Sequence, residues 1–248
     1  MRFDIVTIFP AMVAGGLTEG VVARGIGRGA VDVRIWDLRD QTTDRHRSVD
    51  DVPYGGGPGM VMTPQPWVRA VEAIRAERGE PGAVVLMSPQ GRLFTQAEAV
   101  RLRGLSHVVL LCGRYEGVDE RVREMVGAEE LSVGDFVVSG GELPALLVVD
   151  AVSRLVPGVV GDSGSVEEDS FSRGLLDYPH YTRPAECDGR RVPDVLLSGH
   201  HEEVRKWRRR AALARTLERR PELVDAAGLD DEERAWLREM RRGRHEEK

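Results

Sequence analysis

The stretch SVGDFVVSGGELP, Ser132 to Pro144, decides the fold. Val133, Phe136, Val137 and Val138 are β-branched or aromatic and read as a strand. Gly140 and Gly141 break it, and an apolar helical segment, LPALLVVDAVSRLV (143–156), follows at once. Glycines between a buried strand and a buried helix permit a positive φ and let a ligand approach the main chain. In open parallel sheets ligands bind beyond the carboxyl ends of the strands, where this pair sits.

Working outward, four more runs are dense in Val, Ile and Leu: 3–9, 31–38, 83–88 and 107–113, beside 131–138 itself. Continuous apolar runs suit parallel strands buried on both faces. Helical patterns lie between them at 64–78 and 95–105, the second with Thr95 and Glu98 at capping-box spacing. The alternation predicts an α/β domain over 1–160 with helices on both faces of a parallel sheet. The segment DDVPYGGGPGMVM (50–62), with its three consecutive glycines, reads as a functional loop. Residues 161–174 are small, polar and acidic and read as a flexible linker. The remainder, 175–248, reads as a small helical domain with helices at 201–220 and 230–244.

The chain has 248 residues, 41% hydrophobic and 31% charged, enough to bury a core and without the bias of a disordered chain. It has no apolar run of transmembrane length, and its start lacks a signal-peptide pattern, so a cytoplasmic protein without a membrane partner is expected. Two cysteines, Cys112 and Cys187, make neither a disulfide framework nor a zinc site. Residues 201–220 hold eight Lys or Arg against three Glu, a local +5 that leaves −11 on the rest of a chain of net charge −6. Such a stripe on an acidic chain points to a localised polyanion contact, or to a solvated Arg-rich face.

Neither GxGxxG nor GxxxxGK[ST] occurs, so the standard phosphate loops are missing and a nicotinamide oxidoreductase is disfavoured. Glycine clusters that follow strands at 87–94, 112–122 and 132–144 would suit a cofactor held through the backbone, such as an adenosine without phosphates. The same glycines would also serve turns and close packing, and spacing leaves both open.

The set RSVDDVPYGGGPGMVM (47–62), SPQG (88–91), LCGRYEGVDERV (111–122), ELSVGDFVVSGGELPALLVVDAVSRLVPGV (130–159), EEDSF (167–171), LLDYPHYTRP (175–184) and VPDVLLSGHH (192–201) closely resembles the bacterial tRNA (guanine-N1)-methyltransferases of the SPOUT superfamily. The resemblance implies a deep trefoil knot in the α/β domain and S-adenosylmethionine as methyl donor. It implies three cofactor loops: Met87, Ser88, Pro89 and Gln90; Cys112, Gly113, Tyr115 and Glu116; and Ser132, Val133, Gly134, Asp135, Phe136, Val137, Val138, Gly140, Gly141 and Pro144. Leu86, Val133 and Phe136 depart from the commonest family residues, which puts side-chain hydrogen bonds around the adenine in question but not the pocket.

The implied reaction is methylation of N1 of guanine 37 of tRNA, next to the anticodon, which keeps the reading frame. Guanine N1 carries a proton at neutral pH, so a general base is needed, and charge that spreads to O6 calls for a cation. Asp169 resembles the family's base and Arg154 its catalytic arginine. Ser170, Asp177 and His180 are further candidates for substrate contact, and Arg205, Arg208 and Arg209 for the RNA backbone. The family also implies Mg²⁺ for activity; the sequence offers no dedicated cage of carboxylates, and Glu116 is the candidate for a nearby one. The family implies an obligate homodimer with its sites at the subunit interface. Another SPOUT enzyme acting on ribosomal RNA, or a non-catalytic RNA-binding protein, are the alternatives.

Overall fold

The computed structural model describes residues 1–161 and 168–246. The chain divides into two units, Met1–Gly161 and Asp162–Lys248.

The first unit is built on five parallel strands: β1 (Arg2–Thr7), β2 (Asp32–Asp37), β5 (Ala83–Leu93), β6 (His107–Cys112) and β7 (Ala128–Ser132). Their order is β2-β1-β6-β5-β7. Ile5 lies opposite Ile35 on one side and Leu110 on the other, so the central strands carry an unbroken ladder. All six residues of β6 are buried, which is why its sequence does not alternate. Its side chains alternate in direction instead. Val108, Leu110 and Cys112 enter one core with Phe3, Ile5 and Val85, beneath helices α4 (Gln96–Arg103) and α6 (Glu142–Ser153). Val109 and Leu111 enter the other with Val6 and Leu86, against Trp67, Val71 and Ile74 of helix α3 (Pro64–Arg78).

Local chemistry sets several boundaries. Pro64 opens α3 and Gly79, at φ +83°, ends it. Thr95 caps α4 by accepting from the Glu98 amide. Only half of the expected capping box forms: the Glu98 carboxylate accepts from Arg92 and Arg101, at 2.8 and 2.9 Å.

Three expectations need correction. The run 131–138 is not a strand: β7 ends at Ser132, and 133–139 is irregular chain with Val137 86% exposed. Among the described residues no strand lies beyond β7 to pair with it, so its apolar side chains are not buried in a sheet. The 50–62 loop is closed by a short antiparallel pair at its ends, β3 (Asp50–Asp51) with β4 (Val61–Met62). Strand β5 runs past 88 to Leu93, but with a break in its pairing. Met87 and Arg92 both lie opposite Leu131, so Ser88–Gly91 are pushed out as a loop.

In the second unit, helices His201–Arg219, Pro221–Ala226 and Asp231–Glu246 follow a short one at Asp194–Leu197. Leu175, Leu213, Leu217, Val224 and Leu229 form its core, with Trp236 and Leu237 packed against it. A hairpin, Glu186–Cys187 with Arg190–Arg191, turns through Asp188-Gly189, both at positive φ. The Asp-Gly pair is a hairpin signal that composition alone obscured. Part of the expected linker, 162–167, lies outside the described residues. Among the described residues no helix is long and apolar enough to cross a membrane.

At the amino end of β1 the fully buried Asp4 accepts from Trp36 Nε1 (2.7 Å) and Arg78 Nε (3.0 Å) and pairs with His107 Nε2 (2.6 Å). It ties β1, β2, β6 and α3 together away from the strands' carboxyl ends. Replacing it by Ala should cost about 3–5 kcal/mol in urea unfolding, because its partners are left buried without their acceptor.

Candidate active site

The loops after β5, β6 and β7 leave adjacent strands on one edge of the sheet, and between them lies a cavity of about 340 Å³. Ligand clefts start at roughly this size, about 300–1,000 Å³. The lining includes Met87, Ser88, Pro89 and Gln90 from the first loop and Gly113, Tyr115 and Glu116 from the second. Ser132, Val133, Gly134, Phe136, Val137, Val138, Gly140, Gly141 and Pro144 come from the third. Every cofactor position proposed from sequence lines it except Cys112 and Asp135. Leu86 lines it too, and Tyr115, Phe136, Val137 and Val138 remain exposed there. Apolar side chains clustered in a concave site are a surface made to be covered.

Gly140 and Gly141 owe their place to close approach and not to φ, which at Gly141 is −78°. A Cβ on Gly141 would lie 2.7 Å from the Cys112 Cα and 3.1 Å from the Met87 Cβ. A Cβ on Gly140 would overlap the Arg114 Nε. The Gly141 amide donates to the Gly113 carbonyl at 2.9 Å, so the third loop crosses directly over the second. Cys112 is therefore behind the site and not in its wall. Burial, then the Glu142 carboxylate, pushes its thiol well above the usual range, partly offset by Arg114.

The sequence reading missed Glu142 and Arg114. Glu142, in the first turn of α6, is fully buried and accepts from Thr7 Oγ1 (2.7 Å) and Arg114 Nε (2.9 Å). A lone acid within GGELPALLVV was the signal: buried charge requires a partner. The 50–62 loop buttresses the second loop, with Glu116 N donating to Met60 O (3.0 Å) and Met62 N to Gly117 O (2.9 Å). Gly59, at φ +81°, leaves room for the Glu116 side chain.

Arg154 follows the last turn of α6, its amide donating to Asp150 O (3.1 Å). Asp169, half-buried, lies in the second unit on a turn where its carbonyl accepts from Ser172 N (3.2 Å). Beside it, Ser170, Asp177 and His180 form one network. The Asp177 amide donates to Ser170 Oγ (2.9 Å), and the Asp177 carboxylate accepts from Tyr178 N and pairs with His180 Nε2, both at 2.7 Å. Arg208 lies over the Tyr178 ring. Arg205 pairs with Glu202 on its own helix, and Arg209 is drawn to Glu233 of Asp231–Glu246, where it joins two helices. Among the described residues no group of three or more His, Cys, Asp or Glu is arranged to hold a metal ion.

A parallel α/β unit with a glycine-crossed cleft at the ends of three adjacent strands defines a ligand-binding protein of the α/β class. The family described as tRNA (Guanine-1)-methyltransferase TrmD matches residues 1–226. A tRNA (guanine-N(1)-)-methyltransferase of Pelotomaculum thermopropionicum is 56% identical over 241 residues, 97% of this chain and 96% of that one. Those of Geobacter metallireducens and Geobacillus kaustophilus are 54% and 49% identical, over 98% of this chain and 99% and 100% of theirs. The chain belongs to the tRNA (guanine-N1)-methyltransferase family.

Two outcomes test the geometry. Gly141→Ala should lower stability by about 1–3 kcal/mol, since backbone lies where the methyl would go. Gly27→Ala, with open space around it, should be neutral or stabilising by up to about 1 kcal/mol in the same urea titration. A thiol reagent at neutral pH should modify only the exposed Cys187 in the folded protein, and both cysteines after denaturation.

Proposed function

We propose that this protein methylates N1 of guanine 37 in tRNA, with S-adenosylmethionine as donor. The observation that carries the reading is the cavity itself. Three separate motifs of the family converge on it, and its wall combines an apolar, aromatic surface with close-running main chain. An adenosine-bearing ligand without phosphates matches such a wall. When bound, S-adenosylmethionine supplies a methyl group made electrophilic by its sulfonium. Leu86, Val133, Phe136 and Val138 would enclose the adenine, and the loop backbones would orient it.

The protein's own task is then the nucleophile. Asp169 takes the N1 proton as general base, and Arg154 stabilises the charge that moves to O6. Ser170, Asp177 and His180 brace the turn that carries Asp169, a positioning role supported by their mutual hydrogen bonds. The basic helix His201–Arg219 contacts the RNA backbone, which makes binding salt-dependent. Arg205 and Arg208 suit that contact better than Arg209, which is engaged with Glu233. The protein works as a homodimer with sites at the subunit interface, in the cytoplasm, and uses Mg²⁺ held in part by RNA or water. The product keeps the reading frame. Membership of the family is what supports a knotted path for the α/β domain. Residues 175–248 serve as the tRNA-binding domain, and 161–174 as the linker that delivers Asp169.

Transfer of labelled methyl from S-adenosylmethionine to unmodified tRNA transcripts tests this, with a G37 substitution and an Asp169→Ala protein alongside. Transfer should vanish without G37, and Asp169→Ala should lower kcat/KM by on the order of 10²–10⁴. Transfer to ribosomal RNA instead, or tRNA binding with no transfer in the presence of Mg²⁺, would replace this reading with one of its two rivals.

A further inference from the structure

Arg114 lines the cavity, yet its guanidinium is turned to the protein. Nε donates to the buried Glu142 carboxylate (2.9 Å), and Nη1 to the Ser139 carbonyl (2.9 Å) and Oγ (3.2 Å). Nη2 approaches Met12 Sδ (3.4 Å), and the guanidinium carbon stands 4.6 Å from the centre of the Phe9 ring. Glu142 is in turn held by Thr7 Oγ1, which accepts from the Phe9 amide at 2.9 Å. One chain of contacts thus runs from the end of β1, through the start of α6 and the second loop, to the third.

We propose that Arg114 is a positioning residue, a latch that holds the 133–141 loop in its ligand-ready shape by joining buried Glu142 to the Ser139 carbonyl. The loop has little to hold it otherwise. Val133 packs against the core, but Phe136 and Val137 are exposed, at 57% and 86%, so packing does not fix the middle of the loop. Its local bonds, Ser132 Oγ with Gly134 and Phe136 N to Gly134 O, lie before Val137. From Val137 to Gly140 its fixed points among the described residues are the Arg114 guanidinium and the paired backbones of Arg114 and Gly140. A loop left mobile has to be ordered when ligand binds, and that ordering weakens affinity.

Arginine is required for this and lysine is not enough. The planar fork reaches a carboxylate with one nitrogen and a carbonyl with another, while an ammonium is a single point on a flexible stem. Gly140 belongs to the same device, since any side chain there would push the guanidinium aside.

The ligand part of this proposal rests on the S-adenosylmethionine reading, and the test separates the two. Arg114→Lys keeps a cation for Glu142 and loses the second arm. In hydrogen exchange of the ligand-free protein, amides of 137–140 should exchange about tenfold faster or more than in the wild type. S-adenosylmethionine affinity, by calorimetry, should fall by roughly tenfold to a hundredfold, with a melting midpoint near that of the wild type. Gly140→Ala should reproduce both effects without changing a charge, which covers the case of an Arg114 variant that does not fold. Asp4→Asn supplies the contrast: it weakens the buried network at the other end of the sheet, and should lower the midpoint while affinity stays within about twofold. Loop exchange and affinity unchanged in both Arg114→Lys and Gly140→Ala would overturn the latch. A wild-type protein that does not bind S-adenosylmethionine would overturn the cofactor reading, with loop exchange still deciding the latch.

Discussion

A carboxylate cut off from water governs the architecture of the site. Burying an ionised group is costly unless it is paired and hydrogen-bonded, and breaking such a pair is costlier than never having built it. Glu142 satisfies the condition with Thr7 and Arg114, contributed by the first strand and by the loop after β6. Its own position is set by α6, whose first turn also favours a negative charge. Three segments far apart in sequence must therefore meet at one point, and they meet directly behind the cavity.

The glycines make that meeting possible. Gly141 lets the third loop cross at van der Waals distance over Cys112, and Gly140 leaves the space in which the Arg114 side chain lies. On the other flank, the break in β5–β7 pairing expels Ser88–Gly91 into the same space, and Gly91 lies so close to Glu130 that a side chain would strike its backbone. The cavity is what remains between three loops that are each obliged to pass near another. Apolar side chains face it because Phe136, Val137 and Val138 have no sheet to enter, beside polar groups such as Gln90, Glu116 and Glu130. The rigid part of the fold, the doubly covered parallel sheet with Asp4 at its far end, supplies the support against which these loops are held.

Much of this was legible in the residues. Four of the five parallel strands, the α3 boundaries at Pro64 and Arg78, and the loop character of the Gly55–Gly57 segment follow from apolar runs and from proline and glycine chemistry. The 132–138 stretch misled for a physical reason: β-branched and aromatic residues are what a strand needs, and they are also what an apolar ligand wall needs. Residue type does not separate the two; the absence of a neighbouring strand does, and that is a property of the whole sheet. Glycine at 140 and 141 was visible, but its cause lay in the partners it passes, Arg114 and Cys112, which are distant in sequence. Glu142 and Arg114 escaped notice because a charged residue beside glycines reads as loop surface until burial is known. The roles of Asp169 and Arg154 came from the resemblance alone, since an acid in a polar segment and an arginine after a helix are ordinary features.

The central claim is that the three loops form the S-adenosylmethionine site, and a crystal structure with S-adenosylhomocysteine bound tests it most directly. The account predicts electron density for the ligand between Met87, Gly113 and Gly141, with its adenine against Phe136 and Val138 and Arg114 still joined to Glu142 and Ser139. Density for the ligand anywhere else on the chain, with this cavity vacant at saturating concentration, would contradict it.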